Sequence, residues 1–187
     1  AVVTELVRVN TGPPIRRSLF LVRENDTWKI AHIHMSPYLR WESSISAFET
    51  ADQANPPKPH GVVFIGSSSI RRWESLSKDF PDARVLNRGF GGSQMIDTVL
   101  YAKRVVTPYA PEAVLVYEGD NDIGKGKDGD RVLGDFKNFV ASIHDQLPDT
   151  KIAFIAIYPS LKLWDRWDEI RRANHLIQEF ADEHAGV

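Results

Sequence analysis

The chain of 187 residues contains no cysteine. That excludes a disulfide, a zinc–thiolate centre and a thiol nucleophile, and leaves the redox compartment open. There is little excess charge of either sign: 23 Lys and Arg stand against 25 Asp and Glu, a net of −2, so electrostatics give no reason to propose nucleic acid as a partner. No apolar run approaches the roughly 18 residues that would suggest a membrane span. No basic segment precedes a short apolar run near Ala1, as a secretory leader would require. There is no internal repeat and no low-complexity tract. What is present, 42% hydrophobic and 26% charged residues, suits one ordinary domain with part of another.

One stretch organises the rest. Val62 to Ile65 is a short apolar run suited to a buried strand. It breaks at Gly66, passes through Ser67, Ser68 and Ser69, and resumes as Ile70-Arg71-Arg72-Trp73. A buried parallel strand that turns into a helix through Gly-x-Ser puts a hydroxyl at the carboxyl edge of a sheet, where ligands of open α/β sheets bind. The following helix would aim its first N–H groups and its dipole there. A serine at that place can be a nucleophile if a base reaches it; equally, serines there can simply cap the helix.

Residues 1–36 read differently. Strands are expected over Val2–Val9, Arg17–Val22 and Trp28–Met35, with turns at Thr11-Gly12-Pro13-Pro14 and Glu24-Asn25-Asp26-Thr27. They make an antiparallel meander outside the parallel sheet. This piece resembles the closing strands of SnoaL-like, nuclear-transport-factor-like α+β domains, carried by Trp28-Lys29-Ile30-Ala31-His32-Ile33-His34. His32 and His34 share a strand face, as a metal pair or as two histidines facing a polar cavity or solvent.

Over 37–60 we expect a helix near 41–53 and then a stiff spacer, Asn55-Pro56-Pro57-Lys58-Pro59. From 61 to 187 strands and helices alternate: strands at 62–65, 84–87, 113–117 and 152–157, helices near 69–78, 94–106, 130–146 and 167–184. Such alternation implies a parallel sheet with right-handed crossovers and helices on both faces, a three-layer α/β/α sandwich.

Three successive strand ends carry unusual residues: Gly66-Ser67-Ser68, Asn87-Arg88-Gly89-Phe90-Gly91-Gly92 and Gly119-Asp120-Asn121-Asp122. A hydroxyl, backbone N–H groups freed by glycine and a side-chain amide at one edge could supply a nucleophile and an oxyanion hole. In this order the blocks resemble the SGNH hydrolases, the GDSL-type esterase and lipase superfamily, over about residues 41 to 187. The resemblance implies a flavodoxin-like fold, no metal or other cofactor, and hydrolysis of small-molecule acyl esters or thioesters. By position it implies that Ser68, the third residue of Gly66-x-Ser68, is the nucleophile, with Ser67 or Ser69 as the alternatives because Ser67 stands where many members have Asp. It further implies that Gly92 and Asn121 complete the oxyanion hole.

The family's last block, Asp-x-x-His, is missing. His144 and His175 fall within expected helices, and His184 follows Asp182 by two residues. The chain is therefore expected to be C-terminally truncated and nearly inactive by itself. Two other readings remain: an α/β binding module that keeps the pocket without the base, and a metal-dependent phosphoesterase built on Asp120 and Asp122, which would need further ligands from other loops.

Overall fold

The structure, a computed structural model, describes residues 2–7, 15–37 and 40–187. The chain divides into two compact units, 1–40 and 41–187.

The first unit is a three-stranded antiparallel sheet in the order β1 (Val2–Val7), β2 (Ile15–Glu24), β3 (Thr27–Pro37). Asn25 and Asp26 connect β2 to β3 with φ of 49° and 58°. Two left-handed residues in a two-residue loop match the twist of the flanking strands, and Asn and Asp tolerate that conformation. The expected meander is therefore present, and among the described residues its three strands form a sheet of their own. The Thr11–Pro14 turn, the expected strand end at Val9 and the side chains of His32 and His34 lie outside the described residues.

The second unit opens with helix α1 (Glu42–Ala54) and then alternates: β4 (Val62–Gly66), α2 (Ser68–Arg71), α3 (Leu76–Asp79), β5 (Val85–Gly89), α4 (Met95–Val105), β6 (Ala113–Tyr117), α5 (Asp120–Gly124), α6 (Gly129–His144), β7 (Lys151–Phe154) and α7 (Trp167–Glu183). The four strands are parallel, in the order β5-β4-β6-β7. Side chains alternate across each strand. Val63 and Ile65 of β4 and Val114 and Val116 of β6 enter a large core with α1, α4, α6 and α7, whereas Phe64 and Tyr117 enter a smaller one with Ile70 and Leu76. Both faces carry helices, so the unit is the expected three-layer sandwich.

Helix α1 belongs to this unit. Ile45 is its one buried residue, at 0% exposure, and burying an Ile side chain contributes about 1.5–3 kcal/mol. Arg104 of α4 also bridges Glu42 and Glu49 of α1, at 2.8 and 2.7 Å. Those side chains are a third or more exposed, and exposed pairs contribute at most about 1 kcal/mol each. Apolar burial thus holds α1 more strongly than the ion pairs do.

Two expectations need correction. The single helix near 69–78 is two short helices. Trp73 packs its ring on Phe64 and Phe80, with centroids 5.6 and 5.8 Å away, and donates Nε1–H to Asp79 at 2.6 Å. Packing and hydrogen bonding of Trp73 take residues 72–75 out of the helical path. The strand expected over 152–157 ends at Phe154. Beyond it the backbone of Ile157 is satisfied by the Asn174 side chain, which accepts from its N–H and donates to its carbonyl, both at 2.9 Å.

Candidate active site

The three unusual strand ends meet because of the register. Gly66 ends β4 and is paired with Gly89 at the end of β5 on one side and with Tyr117 at the end of β6 on the other. The chain leaves β4 first towards β5 and later crosses to β6, so a crevice opens at the carboxyl ends of β4 and β6, the switch point of the sheet.

At the first end, Gly66 has φ of 152°, and a Cβ there would overlap the Tyr117 carbonyl oxygen. Ser67 is fully buried, donates its N–H to the Tyr117 carbonyl at 3.2 Å and turns its hydroxyl to Asp120 Oδ1 at 3.5 Å. Ser68 is the first residue of α2 and is half-buried. The three serines, alike in sequence, thus differ in place: Ser67 faces inward, and Ser68 and Ser69 follow on the helical turn. Because α2 is a single turn of four residues, the dipole expected from a following helix is small.

At the second end, Phe90 donates its N–H to the Gly66 carbonyl at 2.9 Å, and Ser93 closes a turn onto the Phe90 carbonyl at 3.3 Å. Gly92 is the third residue of that turn, with φ of 81°. A Cβ there would meet only the Trp41 ring, at 3.5 Å, so backbone conformation and not space is what demands glycine. Trp41 itself packs on Phe90.

At the third end, Gly119 leads into the short helix α5. Asn121 Nδ2 donates to the Ser93 carbonyl at 3.0 Å. An amide has two N–H donors, and this bond occupies one of them. Ser68, Gly92 and Asn121 therefore stand on the three adjoining strand ends, and Asn121 is tied directly to the Gly92 loop.

The two carboxylates of this block have separate partners. Asp120 accepts from the Asn121 N–H at 2.7 Å as well as from Ser67. Asp122 is fully buried and accepts from Lys127 Nζ at 2.7 Å and from the Met95 N–H at 3.0 Å. Burial pushes both carboxyls above their ordinary range, against the pull of the Asn121 N–H on the first and Lys127 on the second. With Asp122 engaged by a lysine and a backbone amide, the pair does not form the converging carboxylate set that a two-metal phosphoesterase needs. Among the described residues no three metal-ligating side chains come together.

Glu118 is the residue that the sequence reading did not single out. Its side chain is fully buried; Oε1 accepts from Ser93 Oγ at 2.5 Å and Thr98 Oγ1 at 3.0 Å, and Oε2 has no hydrogen-bond partner among the described residues. Burial, reinforced by Asp122 and Asp120, pushes this carboxyl well above its ordinary value. The signal was there: an acidic residue directly after the apolar run Ala113–Tyr117 is an anomaly in a buried strand.

The four histidines whose side chains are described are engaged elsewhere or placed elsewhere. His60 precedes β4, at the end opposite Ser68. His144 closes α6, with Nε2 2.9 Å from the Thr150 carbonyl. His175 pairs with Glu179 on the surface, and His184 Nδ1 lies 2.6 Å from the Phe180 carbonyl. A cavity of about 550 Å³ is lined by Asp52, Asn55, Gly61, Val62 and Arg84. It lies at the amino ends of β4 and β5, so it is not the site of the hydroxyl.

Residues 58–187 match the family model of the GDSL-like lipases and acylhydrolases. Solved structures share the fold. A Streptococcus pneumonia protein provisionally called a platelet activating factor superposes with a TM-score of 0.68 at 20% identity, covering 80% of this chain and 73% of its own. A GDSL-like lipase from Bacteroides thetaiotaomicron gives 0.59 at 20%, over 75% and 74%. The acetyl xylan esterase AlAXEase gives 0.54 at 21%, over 65% and 72%. No curated protein matches the chain.

Proposed function

Because this chain belongs to the GDSL-like lipase and acylhydrolase family, we propose that it is an ester hydrolase in which Ser68 is the nucleophile and the N–H groups of Ser68 and Gly92 with the Asn121 amide form the oxyanion hole. Ser68 Oγ attacks the acyl carbonyl carbon of a small-molecule ester or thioester. A base takes the Oγ proton, and the carbonyl electron pair moves onto oxygen and is met by the three donors. The C–O or C–S bond then breaks with the proton passing to the leaving alcohol or thiol, and water hydrolyses the resulting acyl-serine to the acid and free Ser68. Preorganised donors of this kind are worth about 10²–10³ in kcat each, because they need no reorganisation as charge develops.

The single observation that carries this reading is the coupling of Asn121 to the Ser93 carbonyl, beside Gly92, at the switch point where Ser68 stands. Ser68 also needs a base within about 3 Å or one bridging water. None of the four described histidine side chains is turned to it. By itself the chain should therefore show only the residual catalysis of binding and an oxyanion hole, about 10³–10⁴ over water.

The test is p-nitrophenyl acetate hydrolysis by the chain extended with a relative's Asp-x-x-His segment. Turnover that Ser68→Ala abolishes supports the reading. An extended chain that binds esters and never turns them over would instead mean a binding module.

A further inference from the structure

The apolar strand β6 runs directly into a buried acid, and nothing in the proposed chemistry uses that acid. Glu118 has 0% exposure. Its Oε1 receives the Ser93 hydroxyl at 2.5 Å and the Thr98 hydroxyl at 3.0 Å. A carboxyl sunk in an apolar core without a cation costs several kcal/mol if charged, and no cation pairs with Glu118 among the described residues. Lys127, the nearby base, is taken by Asp122 and Asp135. Burial accordingly holds Glu118 towards its neutral form, with Asp122 and Asp120 adding to the effect.

Two groups of one residue, Ser93, are used at once. Its hydroxyl is bound by Glu118 and its carbonyl by Asn121 Nδ2 at 3.0 Å. Thr98, the other donor to Glu118, sits one helical turn further on in α4 and carries no such link to Asn121. We propose that Glu118 is a positioning residue: by anchoring Ser93 it fixes the carbonyl that orients the Asn121 amide, and so aims the second Nδ2–H at the developing oxyanion. This rests on the reading of Asn121 as an oxyanion donor. It makes the acid a part of the site that never touches substrate.

The asymmetry between Ser93 and Thr98 supplies the test, since both donate to the same oxygen and only Ser93 leads on to Asn121. The 187-residue chain is labelled with ¹⁵N, and the Asn121 side-chain amide is assigned by its loss in Asn121→Ala. Phosphonylation of the site serine by a fluorophosphonate is followed by intact mass in the chain extended with an Asp-x-x-His segment, because the serine needs a base to react. Glu118→Ala should move the Asn121 amide resonances and slow labelling by about 10- to 100-fold, the size expected when a catalytic group is displaced by about 1 Å. Glu118→Gln, which keeps a carbonyl acceptor for Ser93, should restore both. Ser93→Ala should reproduce Glu118→Ala, and Thr98→Val should have a several-fold smaller effect on labelling.

An unmoved Asn121 amide in Glu118→Ala would overturn the proposal, as would Thr98→Val slowing labelling as much as Ser93→Ala. A moved amide with unchanged labelling would overturn it too. In that case Asn121→Ala tells which idea has failed: if it also leaves labelling unchanged, the oxyanion role of Asn121 is what falls. Should Glu118→Ala fail to fold, the comparison of Glu118→Gln, Ser93→Ala and Thr98→Val decides the matter unaided.

Discussion

Asn121 donates its side-chain amide to the carbonyl oxygen of Ser93 at 3.0 Å, which locks the loop after β6 to the loop after β5. The segments that follow β6 and β5 are joined again by Asp122 of α5 accepting from the N–H of Met95, the first residue of α4, at 3.0 Å, and by Glu118 accepting from Ser93 and from Thr98 of α4. Four hydrogen bonds thus make one rigid body of two segments that the sequence separates by some twenty-five residues. Rigidity of this kind is what an oxyanion hole requires.

Replacement of Asn121 should act on the chemical step. In the chain extended with an Asp-x-x-His segment, Asn121→Ala is expected to lower kcat by about 10²–10³-fold with little change in KM, as removal of an oxyanion donor does elsewhere. Steady-state kinetics on a chromogenic ester check this. A change confined to KM would assign Asn121 to substrate binding.

Glu118 should leave a mark on the pH dependence of stability. Its carboxyl ionises near 4.5 when exposed and well above that in the fold. A raised native value means the stabilisation is complete below the exposed value and is lost as pH rises towards the native one, by up to about 1.4 kcal/mol per pH unit. Glu118→Gln cannot ionise. The stability difference between the variant and the parent should therefore shift in favour of the variant as pH rises above 4.5, in urea titrations run between pH 4 and 8. Asp120 and Asp122 face the same acid and titrate in both proteins. Parallel pH profiles for the two would mean that Glu118 is ionised in the native state.

The docking of α1 should depend on one side chain. Ile45→Ala is expected to cost about 2–5 kcal/mol in chemical denaturation, the range for truncating a fully buried aliphatic residue. Arg104→Ala, which breaks the partly exposed bridges to Glu42 and Glu49, should cost about 1 kcal/mol or less for each bridge. The reverse order would show that ion pairs hold the helix.

The alternation of strands and helices was legible because the two central strands are continuous apolar runs, Val62–Ile65 and Ala113–Tyr117, and because Gly and Pro punctuate the chain between elements. The same punctuation marked the three special strand ends. The break between α2 and α3 was not legible, since it depends on Trp73 packing against Phe64 and Phe80 and bonding to Asp79, partners that only the fold assembles. Ser67, Ser68 and Ser69 could not be ranked from residue type. Their separation comes from the backbone at Gly66, which buries Ser67 against Asp120 and begins α2 at Ser68. Glu118 shows the opposite lesson: its oddity was visible in the run Ala113–Glu118, and its purpose appears only when Ser93 is brought against it.

Ser68 as the nucleophile is tested most directly by a fluorophosphonate adduct mapped by peptide mass spectrometry on the chain extended with an Asp-x-x-His segment. A single adduct is expected on Ser68, retained in Ser67→Ala and Ser69→Ala and lost in Ser68→Ala. An adduct that persists in Ser68→Ala, on Ser67, Ser69 or another residue, would contradict it.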